Sequence, residues 1–313
     1  MDESFAKLAG LIAGVNGVLI GKPEVVFRTV VALVARGHLL IEDVPGIGKT
    51  LLGLALARSV AASFRRIQFT NDLLPSDILG LNLYDQREQR FELRRGPIFA
   101  QIILADEINR STPKTQSALL EAMNEGQVTI EGETFRLERP HMVIATENPV
   151  EYHGTFPLPE AQLDRFLMRV QVGYPSSADE KLLLRGGTLA ERLERVKPAL
   201  TPEEVVRIQD AVGAVRVAES LLDYVVALAQ ATREDPRVRL GLSPRGSQAL
   251  CHAARACAAV EGRDFCVPDD IKRVAVPVIA HRLVLASGQY GMERIAEAEG
   301  LVAGLLERLP APG

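Results

Sequence analysis

The stretch EDVPGIGKT at residues 42–50 constrains this chain more than any other. It follows the apolar run HLLI and precedes LLGLALARSVA, so a buried strand turns through a glycine-bearing loop into a helix. The general phosphate-loop pattern is GxxxxGK[ST]. Here its first glycine position is Asp43, followed by Val44, Pro45, Gly46, Ile47, Gly48, Lys49 and Thr50. The mismatch leaves the chemical end intact. Gly46 and Gly48 let backbone N–H groups turn toward a phosphate, Lys49 reaches the β and γ oxygens, and Thr50 offers its hydroxyl to Mg²⁺. The helix that opens near Lys49 and continues through Leu51 aims the positive end of its dipole at the same anion. A ligand is thereby expected, an ATP-like nucleotide with its Mg²⁺.

From Met1 to about Val172 short apolar runs alternate with amphipathic helical patterns, which predicts βαβ units and a parallel sheet. The expected central strands are HLLIED (38–43), FRRIQFT (64–70), QIILAD (101–106), HMVIATE (141–147) and FLMRVQV (166–172). In such sheets ligands bind beyond the carboxyl ends of the strands, where Lys49, Asp106, Glu107 and Asn148 fall. An Asp-Glu pair after an apolar run is by itself no more than a helix start. Downstream of GKT it reads as Asp106 holding Mg²⁺ through water and Glu107 polarising the attacking water. Asn148, before Pro149, is either a turn residue or an amide that fixes that water. Arg165 is open between a surface ion pair with Asp164 and a functional cation. Arg245 sits in the first turn of the helix SPRGSQAL, where the dipole disfavours a cation. Either it is solvated, or it meets an anion such as the γ-phosphate if the second half folds over the nucleotide.

Beyond about Ser176 the strand signal fades, and 177–193, 202–216, 219–233, 244–261 and 268–286 read as helices. Ser243 and Pro244 form the N-cap and first position of one of them. Two domains are expected, 1–176 and an all-helical 177–313. With 36 Lys and Arg against 40 Asp and Glu, the net charge of −4 argues against a nucleic-acid or anionic-membrane partner. Cys251, Cys257 and Cys266 lack CxxC spacing and read as buried free thiols in a reducing cytoplasm. The acidic start MDESFAKLAG is no signal peptide, and Arg28 and Arg36 break the apolar stretch 25–41, so neither secretion nor membrane insertion is expected.

Beyond these local readings, the chain resembles the MoxR family of AAA+ ATPases. The resemblance lies in EDVPGIGKT, QFTNDLLPSDILG, RRGPIFAQIILADEINRSTPKTQSALLEAMNEGQVTIEG, ATENPVEYHGTFPLPEAQLDRF and LSPRGSQAL, in that order. It implies an αβα core with a five-stranded parallel sheet and a small helical lid. Walker A would lie at 43–50 and Walker B at 102–107. Asn148 would be sensor 1, Arg165 an arginine finger and Arg245 sensor 2. The family further implies a homo-oligomeric ring, usually a hexamer, in which Arg165 acts on a neighbour's nucleotide. It also implies remodelling of a protein client, commonly one with a von Willebrand factor A domain. Two insertions place it in the helix-2-insert branch: a segment around 80–96 with Arg87, Arg90, Arg94 and Arg95, and the hairpin QVTIEGETFRLE turning at Glu131-Gly132. A nucleic-acid-stimulated motor of the same branch is the alternative.

Overall fold

The structure, a computed structural model, describes residues 3–44, 46–148, 155–287 and 291–312, so Pro45 and Pro149 lie outside the described residues. In chain order the strands are β1 (Leu39–Glu42), β2 (Phe64–Gln68), β3 (Gly80–Asp85), β4 (Arg90–Arg95), β5 (Ile102–Asp106), β6 (Gln127–Ile130), β7 (Glu133–Arg136), β8 (Met142–Glu147), β9 (Met168–Val170), β10 (Val238–Leu240) and β11 (Val284–Leu285). The five expected strands form one sheet in the order β2-β5-β8-β1-β9, with every neighbouring pair parallel. β8 is buried along its whole length and β5 up to Asp106, as their central places require. β2 carries Arg65, Arg66 and Gln68 because it lies at an edge.

The helices that frame the sheet are α1 (Glu3–Asn16), α2 (Pro23–Val34), α3 (Lys49–Ser59), α4 (Pro75–Leu79), α5 (Pro113–Glu125) and α6 (Glu160–Leu163). Side chains alternate across the sheet. Leu39, Ile41, Ile102 and Leu104 join one apolar cluster with α1, α2 and α3, whereas Leu40, Ile103 and Ala105 join a second with α5.

The remainder comprises α7 (Ser177–Arg185), α8 (Leu189–Glu194), α9 (Pro202–Val212), α10 (Glu219–Glu234), α11 (Pro244–Val260), α12 (Pro268–Ile279) and α13 (Gly291–Arg308). The first apolar cluster does not stop at the sheet. It continues through Val205, Leu250, Val274 and Leu301, so these helices dock on the core built by α1 and α2.

Three differences from the sequence reading have physical causes. The helix expected over 177–193 is two helices, because the chain breaks at Gly186-Gly187, where Gly187 has φ +79°, and restarts on a Thr188–Glu191 capping box. The helix expected to run to 286 ends at Ile279, shortly after an internal Pro277, and β11 then pairs antiparallel with β10. The second half is therefore helical but for that short ladder. Finally, α13 was not anticipated, yet its Leu301, Val302 and Leu305 complete the core.

Both insertions are antiparallel hairpins, β3–β4 and β6–β7. The second turns through Glu131 and Gly132 with φ +50° and +90°, the two left-handed residues of a tight hairpin turn. The three cysteines are free, and Cys251 is half-buried where full burial was expected. Among the described residues no helix is long and apolar enough to cross a membrane.

Candidate nucleotide-binding site

The loop between β1 and α3 is shaped by its glycines. Gly46 and Gly48 have φ +84° and +99°, and Gly48 is the residue that opens α3. A Cβ on Gly48 would also stand 3.1 Å from Leu19 Cδ1, so both conformation and space favour glycine there. Lys49 Nζ donates to the Asp43 carbonyl oxygen at 2.5 Å. Burial lowers the Lys49 pKa, and the charges of Asp43, Asp106 and Glu107 work against that shift.

Asp43, expected at the nucleotide, is not among the residues lining the cavity around Lys49, and its buried carboxylate bonds backbone. Oδ2 accepts the N–H groups of Val172 and Gly173 at 2.8 and 2.6 Å, and Oδ1 accepts that of Val44 at 2.8 Å. Where the general pattern has glycine, this chain has a strap that ties the loop to the exit of β9.

At the tip of β5 the Asp106 carboxylate receives three bonds. Thr146 Oγ1 donates at 2.6 Å, and Arg66 donates through Nε at 3.0 Å and Nη2 at 2.5 Å. The same Thr146 hydroxyl accepts the Glu107 N–H at 2.8 Å. Glu107 itself lies in the left-handed region, with φ +57° and ψ +50°, which costs a non-glycine residue and turns its carboxylate out of the strand direction. Gln68 Nε2 and Arg110 Nη1 donate to Glu107 Oε2 at 2.9 and 3.1 Å.

These elements converge. A cavity of about 490 Å³ is lined by Gly46, Ile47, Gly48, Lys49, Thr50 and Leu51 together with Arg66, Asp106, Glu107 and Asn148. Val18, Leu19, Ile20, Leu183 and Leu189 add apolar walls to the same cavity. Its lining thus combines groups that suit phosphates with walls that suit a flat base.

Arg165 and Arg245 are not in that cavity. Both line a second one, with Asn124, Asp164, His252 and Arg282. Arg165 donates to the Leu120 carbonyl, and Arg245 bonds Asn124 Oδ1 at 3.2 Å and lies 3.7 Å from Asp164. The structure thus does not bring Arg245 to the cavity of its own Lys49. Ser243 caps α11 as expected, but α11 packs on α2 and α12, which turns its first turn toward the Arg165 loop. Arg282, almost wholly enclosed, holds that loop by bonding Asp164 Oδ1 at 2.7 Å and the Phe166 carbonyl at 2.8 Å.

Comparison with known proteins fits this geometry. Residues 38–168 match the model of the ATPase family associated with various cellular activities (AAA), and 230–301 match the AAA lid domain. The chain is 47% identical over 305 residues to the Bacillus subtilis protein YeaC, covering 97% of this chain and 95% of that one. It is 42% identical over 281 residues to the Mycobacterium tuberculosis chaperone MoxR1, covering 87% and 74%. Protein MoxR of Paracoccus denitrificans is 30% identical across 100% of this chain and 98% of its own. The chain belongs to the MoxR family of AAA+ ATPases. The crystal structure of a Cytophaga hutchinsonii protein superposes with a TM-score of 0.88 at 36% identity, covering 99% of this chain and 96% of that one. A full-length MCM homolog from Methanopyrus kandleri, at 17% identity and a TM-score of 0.59 over 97% and 61%, shares the fold.

Several residues of this family member's site escaped the sequence reading. Arg66 and Gln68 stand two apart on β2, hence on one face, and their polar spacing in a strand of the sheet was the available signal. Thr146 gave none, because one threonine in a β-branched strand is ordinary. Val18–Ile20 and Arg192 reach the cavity only through tertiary packing.

Proposed function

We propose that this chain hydrolyses ATP with Mg²⁺, at sites completed between subunits of a homo-oligomeric cytoplasmic ring, a hexamer. The observation that carries this reading is the division of the machinery. Lys49, Thr50, Asp106, Glu107 and Asn148 share one cavity, while Arg165 and Arg245 share another. A protomer thus holds a nucleotide with one face and offers two cations to a neighbour's nucleotide with the other.

Thr50 and Asp106 are the residues that would hold Mg²⁺. The Asp106 carboxylate already draws a cation, Arg66, which fits a metal role. The ion would supply charge neutralisation on the phosphates. The chain's own residues do the rest. Lys49 neutralises the β and γ oxygens, Glu107 takes the proton of the attacking water, and the Asn148 amide orients that water. Turnover would move residues 177–313, the proposed lid, against 1–176, and so remodel or activate a protein client, in this family's manner one with a von Willebrand factor A domain.

Subunit mixing tests the proposal. Glu107→Gln and Arg165→Ala chains should each be nearly inactive, and mixing them should restore turnover, because the former lends Arg165 to the intact Glu107 site of the latter. No recovery on mixing, or turnover per chain independent of protein concentration, would overturn it. A nucleic-acid-stimulated motor has one supporting observation. Tyr84 and Phe91, both exposed, pack with ring centroids 5.3 Å apart on the β3–β4 hairpin among Arg87, Arg90 and Arg94. Salt-sensitive stimulation by single-stranded DNA or RNA would select that reading.

A further inference from the structure

Arg192 stands apart from the other arginines of the molecule. It lies on α8, after the Gly186-Gly187 break, and lines the Lys49 cavity together with Val18, Ile20, Leu183 and Leu189. Its Nε and Nη1 are both shielded from solvent and have no hydrogen-bond partner among the described residues. It also borders an adjoining cavity that shares Val18 and Ile20, where the other charged residues are Arg195 and Lys197, so no acid lies along that wall. The carboxylates that line the main cavity, Asp106 and Glu107, stand near Lys49. Two guanidinium nitrogens held from water without an acceptor are unfavourable, and the cavity they border is where an acceptor can enter.

We infer that Arg192 is a nucleotide-binding residue of the same protomer, whose guanidinium meets the base or sugar of the bound nucleoside triphosphate. The inference rests on the proposed ATP site and deepens it. The glycine loop and Lys49 account for the phosphates. The apolar walls sandwich a flat ring but provide no donors. Arg192 provides both a donor edge for ring nitrogens or ribose hydroxyl oxygens and a planar cation to lie on a π face. Because α8 belongs to the segment after Ser176, the contact joins that segment to the nucleotide through the base end. Arg245, facing the other cavity, cannot do so within the protomer.

Calorimetric titration of the full chain with Mg²⁺-ATP and, separately, with Mg²⁺-tripolyphosphate tests the assignment. Arg192→Ala should weaken ATP binding by about tenfold, the loss expected for one hydrogen bond to a charged donor, and leave tripolyphosphate binding unchanged. Arg192→Lys should recover part of the loss. Retained tripolyphosphate binding also shows that the variant's loop is folded. Arg192→Ala binding ATP within about twofold of the parent, or losing both ligands equally, would overturn the inference while the ATP site stands. Failure of the parent chain to bind either ligand would overturn both.

Discussion

Thr146 links the two carboxylates on which hydrolysis is proposed to depend, and its replacement by the near-isosteric valine isolates that link. The side chain is wholly buried in β8 and makes two bonds, donating to Asp106 Oδ1 at 2.6 Å and accepting the Glu107 N–H at 2.8 Å. Valine fills the volume and makes neither. A lost bond to a carboxylate is worth about 1.5–3 kcal/mol and an orphaned N–H about 1–3 kcal/mol. Asp106 keeps Arg66, so the lower halves apply and Thr146→Val should cost about 3 kcal/mol. Thr146→Ser removes a single methyl and should cost about 1 kcal/mol. Function should separate the two variants further. The left-handed turn at Glu107 is itself strained by roughly 1–3 kcal/mol, and the Thr146 acceptor is what holds its N–H in place. Without it the base is free to wander, and a displacement of about 1 Å can cost about a hundredfold in rate. Urea unfolding together with steady-state ATPase kinetics checks this. Thr146→Val should lose about ten- to a hundredfold in kcat with KM for ATP little changed, because the loop that binds phosphate is untouched, and Thr146→Ser should stay near the parent. A valine variant within about 0.5 kcal/mol of the parent and with normal kcat would refute the reasoning.

Two other perturbations follow from the same geometry. Asp43→Ala should destabilise the chain by about 3 kcal/mol, since it strands the N–H groups of the buried Val172 and half-buried Gly173, and should raise the Kd for ATP as the loop loosens from β9. Asp43→Asn, which keeps one acceptor, should lose less in the same urea and binding titrations. Glu42 and Glu147 pair in register at the ends of β1 and β8, and burial together with the Glu42 charge raises the Glu147 pKa far above the usual carboxylate range. The native chain then keeps a proton that the unfolded chain has lost, so stability should fall as pH rises from the ordinary carboxylate range toward that raised value. Urea midpoints measured across that window should decline for the parent and stay flat for Glu147→Gln, and equal slopes would refute the assignment of the retained proton to Glu147.

Much of this molecule is written locally. An apolar run, a glycine turn and a helix former set backbone geometry within a dozen residues, which is why the five central strands and the 131–132 turn are legible without a structure. Gly186-Gly187 sits in an otherwise helical pattern that reads as continuous, although the left-handed Gly187 and the Thr188–Glu191 capping box that make it a break are themselves local. The limits appear where local rules meet packing. The partners of Asp106 show them, because Arg66 comes from an edge strand and Thr146 from an inner one, each far from Asp106 in sequence.

By itself, the sequence determined the family, the αβα class, and the loop and acid pair whose chemistry depends on residue type and short spacing. The tertiary structure alone decided which cavity each cation serves. Arg245, marked in the sequence by its place in a helix's first turn, and Arg192, which nothing in the sequence marks, both follow Ser176, yet the packing of α11 on α2 turns the first toward Arg165, while the break before α8 brings the second to the Lys49 cavity. Direction of that kind is set by contacts between helices distant in the chain, and no local pattern of residues encodes it.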